Sequence, residues 1–358
     1  MKRAVSSIFL FLWAFLTQAQ DLQSELYKAG FENVQLKEEG DSLKVFFEHR
    51  EFRNPYYSLQ YADQIASDTL GKKIFWIPLE HNTPMGVYSS GDHSFSALSR
   101  EDRRFFREHN SLSKGYRFSF RIHPDFAARF GYYSEPFQTK FNLLLDTRLY
   151  LAKGLSLNTG ISFPITNKLD AQDMSPRLAP TMFHYFAQPA NGHFLAVSLG
   201  SFYSDRYGLD LQYRHAPLDS RWSFGLESGY TGYYWLNAGG FYAEQLNDLY
   251  AVADVEYRLP FERLSLRLSA GQFLYEEKGG RVDLYKNFGR LEFGLHVAAT
   301  ESGNTGGFQI AFALWPGKIF RTRKLELRTT EEFRWEYSYS NEAAVARKYR
   351  IGIPRLAD

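Results

Sequence analysis

Leu209-Asp210-Leu211-Gln212-Tyr213-Arg214 is followed, after the break Pro217-Leu218-Asp219-Ser220, by Trp222-Ser223-Phe224-Gly225-Leu226-Glu227. These two runs decide the fold. Apolar and polar side chains alternate one for one, so each run is a strand with one apolar and one polar face. The break between them is short and rich in turn formers, so the two strands pair as a hairpin.

The same texture extends in both directions. Leu155, Leu157, Thr159, Ile161 and Phe163 alternate with Ser156, Asn158, Gly160 and Ser162. Ala251, Ala253, Val255 and Tyr257 alternate with Val252, Asp254, Glu256 and Arg258. Leu264 to Leu268, Leu291 to Val297, Phe308 to Leu314 and Phe333 to Tyr339 repeat it. About fourteen such runs follow Tyr116, most separated by short Gly/Asn/Asp/Pro breaks, which predicts an antiparallel meander. No fixed-period repeat of the propeller or solenoid kind is present.

Alternation alone does not separate a soluble sandwich from a membrane barrel. Three further features favour the barrel. The runs Leu264 to Leu274 and Leu325 to Tyr339 reach the roughly 9–11 residues that a tilted strand needs to cross a bilayer. Aromatic residues crowd strand ends at Tyr132-Tyr133, Phe202-Tyr203, Tyr230 to Trp235 and Tyr337 to Tyr339, as interfacial girdles require. The polar faces carry full charges in mid-strand, at Arg214, Glu227, Asp254, Glu256, Arg267 and Glu292. A lipid-facing sheet tolerates no open edge and must close. The expected fold is an all-β transmembrane antiparallel barrel of about 12–16 strands, best read as about 14, preceded by a small N-terminal α/β unit. The closing strand is expected either at Tyr339 or near Tyr349 to Ile353. A secreted sandwich is the alternative.

The N-terminus reads as an address. Lys2 and Arg3 precede the apolar run Ile8 to Leu16, and Thr17-Gln18-Ala19 is a small-x-small site, so residues 1–19 are expected to be a cleaved signal peptide. The run is too short to span a bilayer. Residues 20–80 read as a small α/β unit: a short helix ending at Gly30, strands at Val34 to Lys37 and Leu43 to Glu48 around Gly40-Asp41, a helix from Tyr56 to Leu70, and a strand at Ile74 to Leu79. Residues 81–114 read as a polar connector and 115–358 as the barrel.

Composition closes off other classes. The 358 residues include no cysteine, which excludes a disulfide-stapled module, a cysteine-ligated metal site and a lipid-modified N-terminal cysteine. No stretch beyond the N-terminus runs 18 apolar residues without charge, so spanning helices are not expected. Aromatic residues make up 17% of the chain, too many for disorder. A net charge of +2, from 42 basic and 40 acidic side chains, gives no support to nucleic-acid binding.

Two stretches carry a family resemblance. One is Ala29-Gly30-Phe31-Glu32-Asn33-Val34, continued by Gly40-Asp41-Ser42-Leu43-Lys44-Val45 and by Phe47 to Pro55. The other, more specific, is Gly200 to Asp210 followed by Tyr213-Arg214-His215-Ala216-Pro217-Leu218-Asp219-Ser220-Arg221-Trp222-Ser223-Phe224-Gly225. Together they resemble the YjbH-type family of outer-membrane barrels, which includes the GfcD-type capsule proteins. Typical members are longer, so this chain resembles a reduced-length relative. The resemblance implies a place in the bacterial outer membrane and help in bringing an exopolysaccharide or capsule to the cell surface. It implies the polysaccharide, outer-membrane lipid and periplasmic export machinery as partners. It brings no catalytic residues and no cofactor.

Nothing in the residues points to catalysis. Nine histidines are scattered without a metal-ligand spacing, and no nucleophile elbow or phosphate loop occurs. Ser204-Asp205-Arg206 with His215 could form a rim hydrolase site, but a turn is the simpler reading. The candidate functional residues are the charges expected to face the interior: Arg214, Glu227, Asp254, Glu256, Arg258, Arg267, Glu292, Arg328 and Arg334, with Glu326, Glu332 and Glu336 alongside. They either brace a plugged, salt-bridged interior or present a hydrated wall to sugar hydroxyls and carboxylates. A general porin-like or structural barrel is the competing function, and a rim-active hydrolase a more distant one.

Overall fold

The computed structural model describes residues 21–52, 55–67, 73–89, 94–109, 118–130, 136–217, 219–237, 239–260, 263–315, 319–322, 325–339 and 345–356. The expected signal peptide and the aromatic pair Tyr132-Tyr133 lie outside these. The chain divides into two compact units, residues 1–115 and 116–358.

The first unit is a sheet with helices on both faces. Residues 21–28 are helical (α1). Strands β1 (Glu32–Glu39) and β2 (Ser42–Glu48) form an antiparallel hairpin. Helix α2 (Pro55–Ser67) then returns the chain so that β3 (Lys73–Glu80) lies parallel to β2. Three short strands follow: β4 (Thr83–Pro84), β5 (Val87–Ser89) and β6 (Phe95–Ser96), giving the order β1-β2-β3-β5-β6 with β4 on β3. Alternation along β2 and β3 sends Val45, Phe47 and Trp76 to one face, against Leu22, Leu26, Leu59 and Ala62 of α1 and α2. The opposite face buries Phe46, Ile77 and Leu79 against Leu98 and Phe106. Helix α3 (Arg100–His109) carries Phe106.

Residues 81–114 were expected to be a connector. Their described part instead supplies β4, β5, β6 and α3, and so completes the sheet and its second layer. The segment reads as solvated because only Phe105 and Phe106 of α3 are apolar. Phe106 stacks on Phe46 at 5.4 Å, and the rest of the docking is ionic. Ser99 caps it, its Oγ accepting from the Asp102 amide at 3.0 Å and donating to the Asp102 carboxylate at 2.7 Å. Asp102, 1% exposed, in turn receives Lys37 at 2.7 Å and Lys44 at 2.9 Å from β1 and β2.

The second unit is a meander of long strands: β7 (Phe118–Phe130), β8 (Phe137–Ala152), β9 (Leu155–Asn167), the short β10 (Arg177–Leu178), β11 (Met182–Ala190), β12 (His193–Phe202), β13 (Arg206–His215) and β14 (Trp222–Asn237). A short hairpin strand β15 (Gly240–Ala243) extends β14. Then come β16 (Asp248–Arg258), β17 (Leu264–Gln272), β18 (Lys278–Asn287), β19 (Leu291–Thr300), β20 (Gly303–Phe312), β21 (Phe320–Arg321), β22 (Leu325–Thr329) and β23 (Phe333–Tyr339). Sequential neighbours pair antiparallel, with register shifts in β8–β9 and β11–β12; Asp210, for example, lies opposite Ser198 and Gly229. The hydrogen-bonded order returns to β7 and closes the sheet into a barrel.

The closure has an unexpected sense. The run Leu325 to Tyr339 is interrupted near Thr330, whose amide donates to Ile122 O at 3.0 Å while Leu314 N donates to its carbonyl at 3.0 Å. Strand β23 pairs antiparallel with β20, whereas β22 pairs parallel with β7, Leu325 opposite Phe118 through Thr329 opposite Ile122. Counting β10 with β11, β15 with β14, and β21 to β23 as one, the described residues form thirteen staves rather than the expected fourteen. An up-and-down meander with an odd count brings its first and last staves together pointing the same way. The chain therefore enters the barrel at one end, that of the turns at 153–154 and 191–192. It leaves β23 at the other, that of the turns at 203–205 and 301–302.

No helix among the described residues is long and apolar enough to cross a membrane, which says nothing of the strands.

Candidate functional site

The polarity of the barrel is inverted relative to a soluble domain. On β13, Leu209 and Tyr213 are exposed outward, while Asp210, Gln212 and Arg214 point inward and are 0%, 1% and 5% exposed. On β14, Trp222, Phe224, Leu226 and Tyr230 face out, and Ser223, Glu227 and Thr231 are buried inside. Strands β17 and β19 repeat the arrangement, with Leu266, Leu268, Leu295 and Val297 outside against Arg267, Ser269, Glu292 and His296 inside.

Of the sequence-derived residues, four meet in one array. The Arg214 guanidinium reaches Asp254 at 2.9 Å and Glu256 at 2.8 Å, and donates to Ser223 Oγ at 2.8 Å. Arg267 reaches Glu256 at 2.9 Å and lies over the Tyr285 ring. Gly225 sits beneath this array because a Cβ there would lie 2.0 Å from Asp254 Oδ2. Glu292 pairs with Arg334 at 3.2 Å, and Arg334 with Glu332 at 3.0 Å. Arg328 lies 3.7 Å from Glu326 and 4.0 Å from Glu331, and Glu331 also receives Arg121 at 2.8 Å and Arg148 at 3.5 Å. Arg281 bridges Asp283 at 2.8 Å and Glu336 at 3.0 Å. Arg258 differs: it shares the inward register of Asp254 and Glu256 but ends its strand and is exposed.

Glu227 belongs to a different layer. It accepts from Tyr250 at 2.9 Å and from Arg355 at 3.1 Å, with Lys348 at 3.8 Å. Arg355 and Lys348 come from the segment 345–356, which follows β23 and is not a strand. It folds back into the barrel. Ala346 N donates to Glu277 at 3.0 Å and Leu274 N to the Arg347 carbonyl at 3.2 Å; Tyr203 N donates to the Arg350 carbonyl at 2.9 Å. Further along, Tyr349 donates to Asp210 at 2.6 Å, and Leu356 N donates to Gln212 Oε1 at 2.9 Å, about midway down β13. Val345, Ala346, Tyr349, Ile351 and Ile353 complete an apolar cluster with Met182, Phe202, Tyr250, Val252, Phe273 and Leu274. Of the two closing positions read from the sequence, the strand ends at Tyr339.

This also corrects part of the aromatic girdle. Phe202 and Tyr203 point inward, Phe202 stacking on Tyr349 at 5.5 Å and Tyr203 lying under the Arg350 guanidinium at 4.9 Å. Tyr230 and Tyr339 face outward, as girdle residues do. The rim-hydrolase grouping is also taken apart. Ser204 and Asp205 form the left-handed turn before β13, and His215 ends that strand at the far side of the barrel, beside His193. Among the described residues, no group of three or more His, Asp or Glu side chains is placed to hold a metal ion.

Sequence reasoning missed Asp210, Gln212, Tyr250, Arg121, Arg148 and the whole terminal segment. Asp210 and Gln212 carry the same signal as Arg214, an even position in one alternating run. The terminal segment carries none.

The arrangement can hold opposite charges in register in a filled interior, and it can exchange one charged occupant for another. Residues 171–309, under half of the chain, match the model of the family described as "Exopolysaccharide biosynthesis protein YbjH". The match spans the loop before β10 through most of β20, and includes Asp210, Arg214, Glu227, Asp254, Glu256, Arg267 and Glu292. No curated protein and no solved structure matches the chain.

Proposed function

We propose that this chain crosses the bacterial outer membrane as a β-barrel and assists the export or surface assembly of an exopolysaccharide, without a catalytic step of its own. The family match supports the role in exopolysaccharide biosynthesis. The single observation that carries the membrane reading is the inverted polarity, a closed sheet with Leu, Phe, Tyr and Trp outside and ion pairs inside. A belt of that kind exposed to water far exceeds the apolar patches that soluble proteins carry. Strands β8 and β14, each 16 residues, are long enough to span and to extend beyond the bilayer. Closure leaves no unpaired edge in lipid.

The two-residue turns 153–154 and 191–192 lie at the end where the chain enters from the α/β unit. Short turns belong to the periplasmic side of such barrels. On this reading the α/β unit is periplasmic and available to export machinery, and residues 345–356 lie toward the outer mouth of the barrel. The filled interior favours a gated accessory over a constitutively open porin.

The test is a clean deletion in the native host, with polysaccharide quantified on the surface, in the periplasm and in the medium. Loss from the surface with polymer retained inside is the expected result. Unchanged polymer in all three fractions would refute the export role.

A further inference from the structure

We propose that residues 345–356 are a displaceable cationic plug over a carboxylate-lined passage, and that this passage takes an amine-bearing sugar polymer in preference to an acidic one. The inference rests on the export reading above and names the polymer class.

The charge arrangement carries the argument. The segment brings Lys348, Arg350 and Arg355 into the outer half of the barrel. Arg350 meets Asp125 at 2.7 Å. Arg355 meets Asp210 at 3.5 Å and Glu227 at 3.1 Å, with Lys348 also at Glu227. For Asp125 and Asp210, on β7 and β13, the guanidinium partner among the described residues comes from the plug and not from the wall. The inner layers differ: Asp254 and Glu256 are held by Arg214 and Arg267, all four on wall strands. The wall thus neutralises Asp254 and Glu256 with its own strands, and Asp248 at the outer end with Arg206 at 3.0 Å, but it takes the guanidinium partners of Asp125 and Asp210 from an occupant.

An occupant that displaces the segment must replace its charges. A neutral or acidic chain would leave those carboxylates without a counter-charge. A chain bearing protonated amines and hydroxyls would satisfy them. Hydrophobic anchoring of the plug is confined to one apolar cluster, and its backbone makes few ladder-like bonds to the wall. Exchange therefore does not require the barrel strands to separate.

The experiment uses the full-length protein in planar bilayers beside two variants: a chain lacking residues 345–358, and Arg350→Gln/Arg355→Gln at full length. Each is first shown to fold by its heat-dependent gel shift. The full-length protein is expected to conduct little. Both variants should open, with cations preferred over anions by about tenfold, as the carboxylates that the segment's cations leave behind concentrate counter-ions. A glucosamine oligomer should block the open variants, and a galacturonic acid oligomer should not. Asp210→Asn/Glu227→Gln in the shortened chain should bring the preference back toward one.

Anion preference, stronger block by the galacturonic acid oligomer, or folded variants that stay closed would each overturn the proposal. If neither variant folds, the segment is a core element and not a displaceable plug, which also overturns it. Cation-selective variants in a host whose polysaccharide ignores the deletion would remove the export reading and leave the cationic plug standing.

Discussion

The Tyr349 hydroxyl donates to Asp210 at 2.6 Å, joining the terminal segment to a strand 139 residues earlier. Both groups are essentially inaccessible, at 1% and 0% exposure. The ring is held on both sides, by Phe202 stacked at 5.5 Å and by the edge of Tyr250 at 5.7 Å. Tyr349→Phe keeps the ring and removes one hydrogen bond to a charged group, a loss of about 1.5–3 kcal/mol. The expected outcome is faster tryptic cleavage after Arg347 and Lys348 in a barrel whose gel shift is unchanged.

Gly229 lies directly under the same hydroxyl; a Cβ there would sit 1.9 Å from it. Tyr349 is pinned by neighbours on both sides, so it cannot yield by a small rotation. Gly229→Val is therefore expected to expel the segment while the β14 register persists. Increased protease access to residues 345–356, together with raised conductance, checks this.

Arg214 holds two carboxylates, Asp254 and Glu256. Removing one partner of a buried pair strands the others, at about 3–5 kcal/mol. Arg214→Met should lower the temperature of the gel-shift transition markedly. The double change Arg214→Met/Asp254→Leu should recover part of it, because Glu256 keeps Arg267 at 2.9 Å and no carboxylate of the array is left without a cation. Single and double variants of equal stability would contradict this account of the array.

In the N-terminal unit, burial alone would raise the Asp102 carboxyl, but hydrogen bonds from Lys37, Ser99 and Lys44 outweigh it and hold the group below its usual range. Glu39 is likewise lowered by Lys37 and Lys44. Burial works against the charge on Lys37, and its bonds to Asp102 and Glu39 nevertheless raise it above its usual value. Depressed carboxyls stabilise the fold fully above their unfolded pKa and lose that contribution as pH falls through the folded value. The raised lysine contributes fully below its unfolded pKa and loses that contribution as pH rises through the folded one. Asp102→Asn should cost about 1–3 kcal/mol at pH 7, and the difference from wild type should shrink as the pH drops below about 4. Hydrogen exchange of the β1–β2 peptides, corrected for intrinsic rates, measures it. A difference that does not change with pH would contradict the ionic docking of α3.

Much of this molecule was legible because a strand in two media writes its environment with a period of two. Leu209, Leu211 and Tyr213 against Asp210, Gln212 and Arg214 give strand, face and pairing at once. The charged array of Arg214, Asp254, Glu256 and Arg267 follows from the same parity. Arg121 carries the same parity as Arg214, since Ser119, Arg121, His123 and Asp125 alternate with Phe120, Ile122 and Pro124; Arg148 is harder to read because β8 also turns Leu144 and Tyr150 inward. The charged piece opening at Ser99 reads as helical in the sequence, but its packing on the sheet does not, because ion pairs to Lys37 and Lys44, which come from distant strands, take part in docking it. The plug has no periodicity at all. Its fit is set by Asp125, Asp210, Glu227 and Tyr250 on four separate strands, a surface that exists only after the barrel has closed. The parallel closure was hidden for a related reason. One stave more or less changes no local pattern, only where the chain ends.

The central claim is a barrel whose outward residues meet lipid while its charges are enclosed. The chain contains no cysteine, so single cysteines can be introduced cleanly at Leu209 and Leu268 on the outside and at Ser198 and Ser269 on the inside. Each is labelled with a small fluorophore and reconstituted into bilayers carrying brominated acyl chains. The account predicts strong quenching by the lipid at 209 and 268 and little at 198 and 269. Equal quenching at all four sites, or outward sites that react freely with a water-soluble thiol reagent and ignore the lipid, would contradict it.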